Sequence, residues 1–235
     1  MNTTASGQSS FAGGNNTEAS GSNSVALGTG THATNYNAFA IGSGATASGH
    51  QSAAFGSNTN ATNTNAMAFG NGTTASGVHS VAFGNGAIAS GGVSFAAGGS
   101  QGGVATEARG GGSFALGNGV IAKSQSSFAL GLGTVAARDR QVVIGQYNQE
   151  NTTDAFVIGW GWSAASPVTV HTVSTGGGAW YKGGVRVGGS DYASASNLAT
   201  ETWVTTLINN TVGDVSAALA DAHAYAQSLV NGGGV

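Results

Sequence analysis

The side chains able to do chemistry here are five histidines and nine acidic residues; there is no cysteine. A catalytic site needs convergent acid, base or nucleophile groups. The acidic residues are dispersed along the chain. The densest charge cluster is Asp139 between Arg138 and Arg140, which reads as a solvated turn. His32, His50, His79, His171 and His223 include no His-x-His pair. His32, His50 and His79 fall in three different columns of the repeat described below, so they do not stack into a metal ladder, and each reads as a solvated turn residue. Without cysteine there is no disulfide, thiolate nucleophile or cysteine metal site. Pairs such as Gly28-Thr29-Gly30 have the composition of a phosphate cradle. They recur with the repeat and no helix follows, so they read as corners. No catalytic residue, metal or cofactor is expected.

Two groups rise above this background. One is Glu107 and Arg109, the charges near an insertion at 99–112, which is either a recognition loop or a tolerated surface loop. The other is the aromatic set Trp160, Trp162, Trp180 and Tyr181. Exposed aromatics are favoured at binding hot spots. The same four residues could instead form the core of a small β module poor in other large side chains. Both are carried forward as candidate ligand-binding residues.

What must position these residues is unusual in composition. Glycine supplies 42 of 235 residues and charged residues only 6 %, against about 7 % and about 25 % in ordinary domains. A flexible linker matches the glycine content but not the 40 % hydrophobic content, so there is material to bury. Net charge is −3, with six Lys and Arg scattered along the chain. No basic stripe exists to displace counterions, which argues against a nucleic-acid partner. No run approaches the roughly 18 apolar residues of a membrane helix, so no membrane insertion is expected. The first ten residues lack the basic and apolar regions of a secretory signal.

The strongest signal is a repeat. The run Ser24-Val25-Ala26-Leu27-Gly28 returns as Ala38-Phe39-Ala40-Ile41-Gly42, Ser52-Ala53-Ala54-Phe55-Gly56, Ala66-Met67-Ala68-Phe69-Gly70 and Ser80-Val81-Ala82-Phe83-Gly84. The glycine column runs Gly14, Gly28, Gly42, Gly56, Gly70, Gly84 and Gly98, then resumes at Gly117, Gly131 and Gly145. An alanine column accompanies it, from Ala19 and Ala33 to Ala122 and Ala136. Bulky and small residues alternate with period two, which is strand periodicity. Each repeat therefore reads as a short strand, a glycine corner, a second short strand and a polar turn. Stacked coils make a narrow parallel β-solenoid. At about 4.8 Å per strand step, the rod is roughly 50 Å long.

A coil this short encloses little space. The small face is therefore expected inside, with Val25, Leu27, Phe39, Ile41, Phe55, Met67, Phe69, Val81 and Phe83 outside. A continuous apolar ladder is a patch that soluble monomers rarely leave open. Identical ladders from two further chains would cover it with three-fold symmetry. The alternative is a wider coil with the bulky ladder inside and a monomeric rod.

The Ser-Val-Ala-Leu-Gly block, with alanine five residues later, resembles the head repeats of YadA-like trimeric autotransporter adhesins over residues 5 to about 148. The resemblance implies a left-handed parallel β-roll and a homotrimer. The run 141–148, Gln-Val-Val-Ile-Gly-Gln-Tyr-Asn, followed by Asp154-Ala155-Phe156-Val157-Ile158-Gly159, looks like the closing segment found after such repeats. No neck motif of the adhesin kind follows. Instead Gly184-Val185-Arg186-Val187-Gly188-Gly189 and the run 197–204 resemble the ends of bacteriophage tail-fibre modules.

The expected organisation is all-β at first: a β-roll head over 1–148, then a small β transition module over 149–190. A connector at 191–200 and a helical trimerisation segment at 201–235 follow. Val215, Leu219, Ala222, Ala226 and Leu229 make a two-heptad seam for a short coiled coil at the trimer interface. The expected function is non-enzymatic: a trimeric tail-fibre protein of a virion. Its partners would be a host cell-surface glycan or protein, or another virion protein. A bacterial cell-surface origin, as an autotransporter passenger fragment, is the alternative. A fibre-borne glycan-degrading enzyme is a distant third, since it needs paired carboxylates in a groove.

Overall fold

The repeat folds as the alternation requires. In the computed structural model the described residues are 2–176, the strand backbones Ala179–Tyr181, Val185–Val187 and Ser190–Tyr192, and Ala220. The chain divides into two units, Met1–Gly183 and Gly184–Val235. In the first unit a five-residue strand such as Val25–Thr29 alternates with a two-residue strand such as His32–Ala33. The short strands stack into a ten-stranded parallel sheet, and the long strands begin a thirteen-stranded one. Like residues stack on like: Ala68 pairs with Ala82, Phe69 with Phe83 and Gly70 with Gly84. In the second unit, Val185–Val187 pairs antiparallel with Ser190–Tyr192. That strand reaches into the stretch expected to be a connector. The expected seam at 215–229 lies outside the described residues, as does the rest of the segment apart from Ala220, which is helical.

Period two decides the core. Ala26, Ala40, Ala54, Ala68 and Ala82 face inward with no exposed surface, as do Ala33, Ala47, Ala61 and Ala75 from the short strands. The coil is filled mainly by alanine methyl groups, with Val143 and Val157 taking the same inward position only at the end of the roll. The wide-coil alternative, with bulky side chains inside, is excluded. Serines share this interior: Ser52 and Ser80 donate to the Gly49 and Gly77 carbonyls at 2.7 Å. In the threonine column the buried hydroxyls of Thr17, Thr31, Thr59 and Thr73 are unpaired, as are those of Ser24 and Ser94, while Thr106 donates to the Gly99 and Gly117 carbonyls. Ala45, Ala87 and Val120 stand at the same coil position, so a hydroxyl is not required to fill it.

Two expectations about charged residues change. The insertion closes as a tight loop in which Gln101 and Val104 exchange backbone hydrogen bonds of 2.8 and 3.0 Å. Glu107 is already back in the rod, in a short strand with its register partners Ile88 and Ile121. The two charges thus sit on the outer face of the rod, because the short-strand ladder re-forms before them. His32 is likewise no turn residue. It lies in a short strand with its ring 3.3 Å from Glu18, one coil earlier, because that coil position points outward from the sheet.

The short-strand sheet ends at Val135–Ala136, and polar side chains replace the coil that would come next. In regular coils the N–H groups of Ser20 and Gly21 both donate to the Ala33 carbonyl. At the last coil the equivalent N–H groups, on Ala137 and Arg138, donate to Gln141 Oε1 at 2.7 and 3.3 Å. Gln141 Nε2 donates in turn to the Asp154 carbonyl at 2.9 Å. Beside it Val135 N–H donates to Asn148 Oδ1 at 2.7 Å, and Asn148 Nδ2 donates back to the Val135 carbonyl at 3.0 Å. Two side-chain amides thus stand where backbone amides would be, and the sheet edge is blunted. Gln141→Ala should lower stability by about 3 kcal/mol, since buried donors lose their acceptor. Urea denaturation would read this as a lower midpoint, and an unchanged midpoint would show that the cap carries no weight.

The long-strand sheet does not stop there. Asp154–Trp160 adds in parallel register, Phe156 on Val142 and Ile158 on Ile144. Thr169–Ser174 and Ala179–Tyr181 then pair antiparallel. One sheet is capped while the other passes into the following module.

Candidate functional site

The site is a surface, built by the outward positions of the long strands. First-position residues include Phe39, Met67, Val81, Phe95 and Phe114, and third-position residues include Leu27, Ile41, Phe55, Phe69 and Phe83. Because register is kept from coil to coil, like side chains touch along the rod. Phe55 stacks on Phe69 at 5.2 Å and 3° between planes, and Phe114 stacks on Phe128 at 5.0 Å and 4°. Phe95 and Phe114 stack at 4.7 Å. Stacking covers ring faces along the rod but leaves much of the row open to solvent. Phe11 remains 59 % exposed, Phe83 57 %, Met67 42 % and Phe39 40 %. No element among the described residues lies over this ladder.

The ladder continues past the cap at Phe156 and Ile158. Trp160 is the last residue of the same strand, in register with Gln146 in the mostly polar column past the glycine corner. It is 62 % exposed, and Trp162 is 82 % exposed in the loop that follows. The reading of these two tryptophans as the core of the small module is therefore corrected. Phe156 and His171 make an edge contact at 5.7 Å in that module instead. Trp180 and Tyr181 lie on Ala179–Tyr181, opposite Thr172 and His171. The fold does not bring Glu107 and Arg109 to the tryptophans. They sit on the short-strand side of the rod and pair with each other.

The described carboxylates are each tied to a local partner. Glu18 pairs with His32 and Glu107 with Arg109. Asp139 accepts from Gln125 N–H. Glu150 holds Lys123 Nζ with both oxygens, at 2.6 and 2.8 Å. Asp154 accepts from Asn151 Nδ2 at 3.1 Å. Glu150 and Asp154 share an open cleft of about 350 Å³ with Gln149, Asn151, Thr169 and Thr172. Two carboxylates thus line one groove. One is neutralised by a lysine, and the other belongs to the hydrogen-bonded cap. Among the described residues no group of His, Asp and Glu side chains is arranged to hold a metal ion. No helix described is long and apolar enough to cross a membrane.

Sequence reasoning found the ladder through its periodicity. It missed the Gln141 and Asn148 cap, for which the signal was a glutamine in the serine–alanine column and an asparagine in the threonine–alanine column.

Comparison with known proteins agrees with this architecture. The family model of the YadA head domain repeat, two copies long, matches residues 5–31, 19–45, 33–59, 47–73, 61–87 and 75–99. The matches advance by one coil at a time. Residues 5–99 match the YadA head domain repeat, and the same alternation of long and short strands runs on to the strand Val142–Gln146. No curated protein matches the chain.

Proposed function

We propose that this chain is a non-enzymatic fibre protein that works as a homotrimer, in a phage or prophage tail fibre, and attaches the virion to a host surface or to another fibre component. The observation that carries the trimer is the uncovered ladder. A row of half-exposed phenylalanines along a rod costs roughly 25 cal/mol for each Å² left in water. The interior cannot accept them, because alanines already fill it. Covering the row from outside is the remaining solution, and a closed ring of identical chains does so without leaving a free end. The adhesive role rests on the YadA head domain repeats and on a rod whose inner positions are committed to packing. The non-enzymatic role is supported by the Lys123 and Asn151 partners that occupy the carboxylates of the cleft lined by Glu150 and Asp154.

Trp160, Trp162, Trp180 and Tyr181 remain the candidate contact residues beyond the roll, and Glu107 with Arg109 a second candidate on its side. The heptad positions from Val215 to Leu229 would clamp the trimer at its end. A second reading, as the passenger part of a bacterial trimeric autotransporter at the cell surface, is favoured by the YadA repeats themselves. Tail and baseplate genes beside the coding sequence would decide for phage, and a downstream β-barrel segment for the autotransporter.

Light scattering tests the assembly. The expected mass is three times that of the 22.7 kDa chain. A mass of one chain would sink the trimer and the adhesive fibre with it.

A further inference from the structure

The long-strand ladder is not the only place where aromatic side chains stack on the surface. At the turn between the short and long strands, Tyr36 and His50 stack with centroids 5.1 Å apart and planes 21° from parallel. They are fourteen residues apart and belong to successive coils, whose spacing is about 4.8 Å. The two rings therefore stack along the rod axis, and each has one face left over. At the same coil position the neighbouring coils carry Ser22 before Tyr36 and Thr64 after His50. These side chains are small, so each free ring face looks over a shelf.

The residues beside the shelves are amides. Asn23, Asn37, Gln51 and Asn65 follow one another on successive coils at φ between 53° and 55°. Asparagine suits that backbone conformation, which accounts for three of the four. It does not account for Tyr36 and His50, which sit one residue earlier, at positions with no such demand. Tyr36 is nevertheless 43 % exposed. The surroundings carry almost no charge. From residue 2 to residue 106 the only Lys, Arg, Asp or Glu is Glu18.

We infer that this turn edge binds neutral hexose units of a glycan, one over Ser22 against the Tyr36 ring and one over Thr64 against the His50 ring. The polarised C–H face of a sugar is attracted to the negative face of an aromatic ring. A carboxamide offers a donor and an acceptor together, which suits a pair of sugar hydroxyls. Ser22 and Thr64 add hydroxyls at the floor. An anionic glycan would find no cation in this part of the rod, and a basic ligand would find only Glu18, already engaged by His32. The edge lies in the turns, off the long-strand face assigned to the trimer. The inference rests on the adhesive reading above and supplies its ligand class.

The test is saturation-transfer NMR on the full chain. Chitotetraose, cellotetraose and maltotetraose are the neutral probes, with sialyllactose and a heparin tetrasaccharide as anionic controls. Transfer is expected to at least one neutral probe. It should fall about tenfold in Tyr36→Ala, the usual scale for removing an aromatic stacking partner. Ser22→Phe, which fills the shelf and leaves Tyr36 in place, should do the same. Transfer to none of the neutral probes, preference for the anionic ones, or undiminished transfer in both variants would overturn the site. Light scattering and whole-cell adherence on the same samples keep the two ideas apart. A wild-type trimer that adheres but ignores all neutral probes sinks the shelf alone; a wild-type chain that adheres to no cell sinks the adhesive reading.

Discussion

Gly56→Ala is expected to cost roughly 4 kcal/mol or more, the range reserved for substitutions the fold cannot absorb. Gly56 has φ +129°, and a Cβ there would lie 1.9 Å from the Gly70 carbonyl oxygen. That oxygen is backbone in the next coil, held by the parallel ladder on both sides. It has no rotamer to change. The coil must separate from its neighbour, and because coils contact only their neighbours the break divides the rod. Gly72→Ala is the control. Gly72 has φ +62°, and a methyl group there would meet nothing within 4 Å. Only the left-handed backbone then opposes the substitution, at about 1 kcal/mol. Thermal unfolding by circular dichroism should separate the two variants widely. Equal melting temperatures would contradict the stacking argument.

Phe55→Asp combined with Phe83→Asp is expected to reduce the particle to single chains while leaving the coil intact. Both side chains project outside the coil, and the alanines within keep their contacts. In the proposed trimer the aspartates would lose intermolecular apolar contact and would bring like charge together at a shared axis. A buried unpaired carboxylate costs several kcal/mol, and the ring would contain one from each chain at each level. Light scattering should give the mass of one chain, with an unchanged far-ultraviolet β signal. Variants that remain trimeric would show that the ladder does not face the partner chains. Variants that lose the β signal would show that the ladder holds the coil itself together.

The rod was largely legible from the chain because a solenoid's contacts are local in the repeat. The alternation put Ala26 and Ala54 on one face, the small size of the coil argued that this face is inside, and their burial settles it against the wide-coil alternative. The insertion was legible as a break in period but not in its consequence. Glu107 returns to the short-strand ladder because the backbone pairing of Ala89 with Ala108 re-forms across the extra residues. The tryptophans were ambiguous for a different reason. Trp160 ends a strand whose neighbours were not fixed by any repeat, so its facing depended on whether Asp154–Trp160 joined the parallel sheet.

The fourteen-residue period and the division into a small face and a bulky face were determined by the sequence itself, because period-two alternation and glycine corners admit few chain paths; which face lies inside was decided by the fold, where the alanines fill the coil. The tertiary structure decided where that path ends. Gln141 and Asn148 are ordinary polar residues until the last coil leaves Val135, Ala137 and Arg138 without a following strand. Only then does a side-chain amide become a substitute for a peptide group. Tyr36 and His50, likewise, are two ordinary turn residues in the chain; the rise of one coil brings their rings together. Both features arise from registry between coils, a property of stacked backbone that no single repeat contains.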